Sequence, residues 1–159
     1  LLPRIALALA PPMALAEALA VAHDLRVAAW APRVAEIGFR PFTGWLDGFI
    51  DLVFAFDGRY SVVDYKSNYL GEHAADYAPE HLWRSMVDHS YPLQALLYQA
   101  ALHLHLRRRL PGYDPARHLG PAHWIFLRGA GREPGGGVVT FEPDLPLLEA
   151  LLGALGADG

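Results

Sequence analysis

"GFIDLVFAFDGRYSVVDYKSN", residues 48–68, contains two apolar, β-rich runs joined by Asp57-Gly58. Asp-Gly between two such runs is typical of a two-residue type I′ hairpin, in which both turn residues adopt positive φ. If these two residues form the turn, Phe56 faces Arg59 and the register of the hairpin is fixed. The pattern therefore predicts paired strands over residues 48–56 and 59–66.

This register brings three charged side chains onto one face of the hairpin. Asp51 lies directly opposite Asp64, with Cβ atoms ~4.5–5.5 Å apart. Lys66 shares that face because side chains alternate along a strand with a period of two. Like charges facing each other destabilise a sheet, and a divalent cation such as Mg²⁺, which binds one or two carboxylates, would hold them together. The spacing is also compatible with a second interpretation, in which these are solvated residues on an open face and Asp51 is a local cap.

Composition bounds the rest of the interpretation. A chain of 159 residues that is 53% hydrophobic is expected to form one globular domain over 1–159. The net charge of −4 gives no general argument for nucleic acid, and the absence of cysteine excludes disulfides and thiolate metal sites. No run reaches the ~18–20 apolar residues of a membrane span. Because the chain does not begin with Met, we expect it to be an N-terminally truncated piece of a longer protein.

The hydrophobic pattern predicts an α/β (mixed α+β) fold with a central mixed β-sheet flanked by helices. Pro32 is expected to end the segment that follows Trp30. Besides the hairpin, the predicted strands cover residues 35–42, 122–129 and 138–143. The predicted helices cover residues 12–25, 79–89, 91–110 and 145–155, and the polar segment 67–80 is predicted to be a loop that leads into the helix opened by Pro79.

Several stretches together resemble a known family. "GFIDLVF" followed by "VVDYKSN" is similar to the nuclease core of the PD-(D/E)XK superfamily, and in particular to the RecB-type C-terminal nuclease domain of exonuclease V. "YPLQALLYQAALHLHLRRRLPGYD" and "HLGPAHWIFLRG" resemble the helix and strand that follow in that family. The resemblance covers roughly residues 36–159, and it implies a restriction-endonuclease-like core.

The resemblance implies roles for the hairpin residues. Asp51 and Asp64 would be metal ligands, Lys66 the catalytic lysine, and the backbone carbonyl of Tyr65 a further ligand. RecB-type enzymes also contribute a histidine from an upstream helix. The surroundings of His23 do not match that motif, so we expect the corresponding ligand to lie before Leu1.

Five more residues are candidates for DNA binding or for supporting the site. Gln94 and Tyr98 match the family's QxxxY motif, which has both roles, and their i, i+4 spacing puts them on one helical face. Ser67 and Asn68 follow the lysine directly and could donate hydrogen bonds to phosphate, or could simply turn the chain out of the strand. Arg128, at the end of an apolar strand, is a candidate for either a DNA contact or a structural pair.

The function implied by the resemblance is a Mg²⁺-dependent DNA exonuclease or endonuclease of the exodeoxyribonuclease V type, with Mn²⁺ as a possible substitute. Its setting would be double-strand break repair and recombination in the bacterial cytoplasm, with DNA ends as substrate and RecC-like and RecD-like subunits as partners. ATP would serve only the helicase part of the parent protein, since no GxxxxGK[ST] motif occurs here. The alternatives are a catalytically inactive DNA-binding scaffold and a stand-alone PD-(D/E)XK exonuclease.

Overall fold

The computed structural model of the protein describes residues 5–8, 12–36, 43–46 and 48–157. The chain divides into two compact units, one formed by Leu1–Phe49 with Asp144–Gly159 and the other by Ile50–Pro143. None of the helices within the described residues is long and apolar enough to cross a membrane. The elements, in chain order, are β1 (Ile5–Ala8), α1 (Pro12–Leu19), α2 (Leu25–Ala35), β2 (Thr43–Leu46), β3 (Leu52–Phe56), β4 (Arg59–Lys66), a 3₁₀ turn (Ala74–Tyr77), α3 (Pro79–Asp88), α4 (Tyr91–Arg109), α5 (Pro115–His118), β5 (Leu119–Phe126), β6 (Val138–Phe141) and α6 (Leu145–Ala154).

The first unit contains a two-stranded antiparallel sheet of β1 and β2, and helix α1 packs against α2 and α6. The predicted helix over 12–25 is two helices, because Asp24 caps a new one by accepting a hydrogen bond from the Arg26 backbone N–H. The expectation that Pro32 ends this segment was wrong, since α2 continues to Ala35. Proline costs one backbone hydrogen bond, but the buried face of α2 at Val27, Trp30, Ala31 and Val34 stabilises the helix through packing.

The strand predicted over 35–42 is wrong at its first two residues, which end a helix. Ala35 ends α2 and Glu36 is its C-cap, whereas residues 37–42 lie outside the described part of the chain. The Thr43-Gly44 pair, expected to follow that strand, instead begins β2.

The second unit is built on a four-stranded sheet of order β3-β4-β5-β6. β4 and β5 are parallel, while the two outer pairings are antiparallel. Helix α4 packs against β4 and β5, and α3 packs against β6. The predicted α/β fold with a mixed sheet is therefore confirmed.

The inner strands β4 and β5 are largely buried, whereas the edge strand β3 is exposed. Every residue of β3 is exposed, whereas residues 61–64 of β4 are all buried. Trp124 and Phe126 of β5 are fully buried, and α4 buries most of its residues between Ala95 and Leu106. The end of β4 that carries the predicted catalytic residues is thus central to the sheet and covered by a helix.

The hairpin has the predicted turn and register. Asp57 and Gly58 have φ of 49° and 75°, and Phe56 faces Arg59 while Leu52 faces Val63. The first strand is shorter than predicted, because β3 begins at Leu52 and leaves Asp51 in a bend. There the Asp51 carboxylate accepts a hydrogen bond from the Tyr65 backbone N–H at 2.9 Å. The Tyr65 N–H is therefore bonded to a side-chain oxygen instead of a backbone carbonyl of β3.

Other boundaries differ by a few residues. The long helix is confirmed as α4, but β5 begins three residues earlier than predicted, at Leu119. The four-residue helix α5 was not predicted; Asp114 caps it and Pro115 occupies its first position. The loop 67–80 contains the 3₁₀ turn and the start of α3.

We expect Gly58→Ala to lower the free energy of unfolding by about 1–2 kcal/mol. A Cβ at Gly58 would meet no atom within 4 Å, so the penalty would be purely that of positive φ. Gly153→Ala is the matched control: it also has open space but is helical, and it should stabilise by about 0.5–1 kcal/mol. Urea unfolding of both variants measures the difference; equal effects would contradict the assignment of the cost to the turn.

Candidate active site

Two carboxylates lie near each other at one end of the hairpin, where β3 begins and β4 ends. Asp64 is buried on β4, and Asp51 precedes β3 at the position that the hairpin register places opposite it. The hydrogen bond from the Tyr65 N–H to Asp51 Oδ2 ties the two positions together, since Tyr65 directly follows Asp64. The pairing of the two carboxylates predicted from the sequence is thus consistent with the observed register.

Lys66 reaches back from the end of β4 to this carboxylate pair. Its Nζ lies 2.7 Å from Asp64 Oδ2, and only 11% of the lysine side chain and 7% of the aspartate side chain are exposed. The same Nζ donates to Gln94 Oε1 at 2.9 Å and lies 3.7 Å from the centre of the Tyr91 ring. One ammonium group therefore connects the sheet to helix α4.

The two carboxylates, Asp51 and Asp64, bring more negative charge to this place than Lys66 compensates. Burial raises the pKa of Asp64, and the negative charge of Asp51 raises it further, whereas the hydrogen bond and charge of Lys66 oppose the rise. Lys66 pairs with Asp64, and the second carboxylate, that of Asp51, acts on Asp64 as a like charge. The environment therefore favours an additional positive charge close to the two aspartates.

Gln94 and Tyr98 are hydrogen-bonded to each other on one face of α4, as their spacing predicted. Gln94 Nε2 donates to the Tyr98 hydroxyl at 2.9 Å, which leaves Gln94 Oε1 to accept from Lys66. The reverse amide orientation would place an NH₂ group against an ammonium group. Burial raises the pKa of Tyr98, and the carboxylates of Asp64 and Asp51 add to the rise, so the phenol stays protonated at neutral pH.

A corner between α3 and α4 borders the site, and it was not predicted from the sequence. The Tyr91 ring stacks on His89, and the Tyr91 hydroxyl donates to Asn68 Oδ1 at 3.4 Å. Tyr91 could have been found, because it precedes Gln94 by three residues and so shares its helical face. His89 lies outside the helix, and nothing in the sequence pattern indicates it.

The remaining predicted residues lie just beyond the lysine. Asn68 contacts the corner, with its Nδ2 3.5 Å from His89 Nε2. Arg128 Nε donates to the Ser67 carbonyl at 3.2 Å, and the guanidinium group lies 5.7 Å from the Tyr69 ring. Arg128 thus has a structural contact with the segment after β4, and DNA contacts by Ser67, Asn68 and Arg128 remain predictions.

The donor set suits a hard divalent cation. Mg²⁺ takes oxygen ligands, often only one or two carboxylates with water and substrate phosphate completing the shell. Asp51 and Asp64 provide such carboxylates in the electrostatic environment described above. Within the described residues no group of three or more His, Cys, Asp or Glu side chains is close enough to bind a metal ion. The Tyr65 carbonyl and a histidine before Leu1 stay predictions.

His23 has a local role in the first unit. Its backbone N–H donates to Asp144 Oδ2 at 2.7 Å, and its Nδ1 lies 3.3 Å from the same oxygen. Asp144 also caps α6 by accepting from the Leu147 N–H. These contacts account for His23 within its own unit.

Comparison with known proteins gives consistent matches. The family model of the PD-(D/E)XK nuclease superfamily matches residues 2–152. The RecBCD enzyme subunit RecB of Mycobacterium tuberculosis is 46% identical over 127 residues, covering 74% of this chain and 11% of the relative. RecB of Escherichia coli K12 is 44% identical over 111 residues, covering 69% and 9%. RecB of Mycolicibacterium smegmatis is 39% identical over 150 residues, covering 85% and 14%.

The chain therefore spans about a tenth of the length of these relatives. The family match, in contrast, extends over nearly the whole chain, with all of the second compact unit and most of the first. It also contains the hairpin with Asp51, Asp64 and Lys66 and the helix with Gln94 and Tyr98. This chain belongs to the PD-(D/E)XK nuclease superfamily.

Proposed function

We propose that this nuclease-family chain hydrolyses phosphodiester bonds of DNA in a Mg²⁺-dependent reaction, as the nuclease part of a RecB-type subunit. The observation that carries the proposal is the buried carboxylate–lysine pair of Asp64 and Lys66, with Asp51 beside it. A purely structural hairpin has no need to bury a carboxylate with a second one nearby, because like charges facing each other destabilise the sheet.

Asp51 and Asp64 would hold the metal ion, together with the Tyr65 carbonyl. When bound, a divalent cation would polarise the scissile phosphate and lower the pKa of a water molecule. The carboxylates would also orient that water, whose oxygen forms a bond to phosphorus while the bond to the leaving oxygen breaks. Of the two protons of the attacking water, one ends on the leaving oxygen and the other is released to solvent from the new phosphate monoester.

Lys66 would act on the phosphate. Two of its three N–H donors are directed to Asp64 and Gln94, so the third can contact a non-bridging oxygen or the attacking water. A fixed cation at this point stabilises the negative charge that develops on phosphorus oxygens, without the need to reorganise solvent. Gln94 and Tyr98 would keep the lysine directed at the reacting group.

The cellular setting is proposed from the relatives. Their names identify them as subunits of the RecBCD enzyme, and we propose that this chain works in double-strand break repair and recombination beside RecC-like and RecD-like subunits. ATP would drive the helicase part of the parent protein, and the site of action would be the bacterial cytoplasm. We further propose that the two compact units form a single nuclease domain.

Cleavage should depend on the site residues. We expect Asp64→Asn and Lys66→Ala each to lower kcat on linear DNA with Mg²⁺ on the order of 10³-fold, since each removes charge that acts in the transition state. The assay follows release of a fluorophore from double- and single-stranded oligonucleotides. Asp57→Asn is the matched control, because it removes a carboxylate from the same hairpin at the turn.

The outcome separates the candidate functions. Cleavage that disappears in both site variants but survives in Asp57→Asn would support the proposal. DNA binding without cleavage by any form would favour the inactive scaffold and overturn the proposed hydrolysis. Full activity of the chain without any RecC-like or RecD-like partner would leave the proposed hydrolysis intact but would favour a stand-alone exonuclease over a subunit of a larger enzyme.

Metal binding can be tested separately from cleavage. We expect Mg²⁺ or Mn²⁺ to bind the unmodified chain and Asp57→Asn equally, and to bind Asp64→Ala at least about tenfold more weakly, because a ligand is lost. Isothermal titration calorimetry measures the affinities. Equal binding by all three proteins would show that the carboxylate pair does not hold the metal.

The hydrogen bonds that join Lys66, Gln94 and Tyr98 should affect the turnover of DNA more than its binding. We expect Gln94→Leu to lower kcat by about 10–100-fold and Tyr98→Phe by about threefold, with KM nearly unchanged. Phenylalanine keeps the ring of Tyr98 against Trp124 but removes the oxygen that orients the amide. A rise in KM with constant kcat would instead assign both residues to DNA binding.

A further inference from the structure

The lysine ammonium group lies on an aromatic face in addition to its two oxygen partners. Lys66 Nζ is 3.7 Å from the centre of the Tyr91 ring, well within the ~6 Å range of a cation–π contact. A lysine side chain is flexible, and its charge can occupy many positions. We propose that the Tyr91 ring is a positioning surface that fixes the Lys66 ammonium for catalysis.

The ring itself is held in place by its neighbours. It stacks on the His89 imidazole, with centroids 5.1 Å apart and planes inclined by 17°. His89 Nδ1 donates to the Ser85 carbonyl at 2.8 Å, because a carbonyl oxygen can only accept, and this bond restrains the imidazole. The Tyr91 hydroxyl is in addition directed to Asn68, two residues beyond the lysine.

The backbone between the two stacked rings is strained. Ser90 has φ of 55° and ψ of 26°, in the left-handed region, and its side chain makes no capping hydrogen bond. A non-glycine residue in this conformation is destabilising by itself and persists only where its surroundings impose it. Here the conformation brings His89 and Tyr91, on either side of Ser90, into the same stack.

This inference rests on the proposed function, since it concerns how the lysine meets the phosphate. Asp64 and Gln94 accept two hydrogen bonds from the ammonium group. The Tyr91 ring attracts the cation electrostatically but contributes no oxygen acceptor at its face. It therefore restrains the charge while leaving one strong N–H donor for a phosphate oxygen or water, which a third oxygen partner would have occupied.

Lys66 is the only lysine in the sequence, which gives a direct test. Protein labelled with ¹³C-lysine should show a single Cε–Hε correlation in its NMR spectrum, displaced upfield by the ring current of Tyr91. Tyr91→Phe should keep this displacement, and Tyr91→Leu should move the signal most of the way toward its position in the unfolded chain, because the Trp124 ring, 6.0 Å from Nζ, remains. A signal that is not displaced, or that Tyr91→Leu leaves in place, would overturn the proposal.

Two further variants serve as controls in the same spectrum. Tyr113→Leu also removes a tyrosine ring, but one that contacts His103 and His118, so it should leave the lysine signal unchanged. His89→Leu, at an exposed position, keeps the proposal testable if Tyr91→Leu does not fold. His89→Leu should shift the lysine signal in the same direction as Tyr91→Leu, but by a smaller amount. An unchanged signal would show that the stacking of His89 on Tyr91 does not help to position Lys66, and would overturn that part of the proposal.

Kinetics give the functional half of the test. Tyr91→Leu should lower kcat about tenfold with KM unchanged, and Tyr91→Phe should restore kcat to within about twofold of the unmodified chain. An equal loss in both variants would assign the role to the hydroxyl and overturn the proposal for the ring. Absence of cleavage by the unmodified chain would reject the proposed function, and the NMR result would then decide the positioning on its own.

Discussion

The buried ion pair between Asp64 and Lys66 is the interaction on which the second unit depends. A charge in a sheet interior is tolerated only when a partner and further hydrogen bonds compensate for lost hydration. Here β4 supplies both charges two residues apart, and its neighbours β3 and β5 enclose it. The compensation is incomplete, because Asp51 brings a second negative charge close to the first. That deficit of positive charge is the physical reason for proposing a divalent cation beside the two carboxylates.

Helix α4 connects the packing of the unit to its chemistry. One side of the helix is buried against the sheet, while Tyr91, Gln94 and Tyr98 lie at spacings of three and four residues toward the lysine. The position of the ammonium group is therefore set by the docking of the helix on β4 and β5. A small displacement of α4 would alter the hydrogen bond from Lys66 to Gln94 and the contact of Lys66 with the Tyr91 ring at once, so stability of the core and geometry of the site are coupled.

Local physics explains which predictions from the sequence were right. The Asp57-Gly58 turn determines the hairpin register by itself, and the QxxxY spacing places two side chains on one helical face regardless of the rest of the chain. Predictions failed where packing outweighs local preference. Pro32 lies inside α2 because the helix buries a hydrophobic face, and Asp51 leaves the strand because its carboxylate binds the Tyr65 N–H. Neither outcome follows from residue propensity alone.

The sequence by itself determined the turn and register of the hairpin, the placement of Lys66 two residues beyond Asp64 on the same strand, and the family resemblance, because all of these follow from short-range periodicity and motif. Only the tertiary structure decided how the lysine is held. The left-handed Ser90 lets His89 stack on Tyr91. The parallel pairing of β4 with β5 and the docking of α4 bring Gln94 and the Tyr91 ring to the Lys66 ammonium group. These contacts join residues more than twenty positions apart, and such distances are set by the packing of a helix on a sheet rather than by any local pattern.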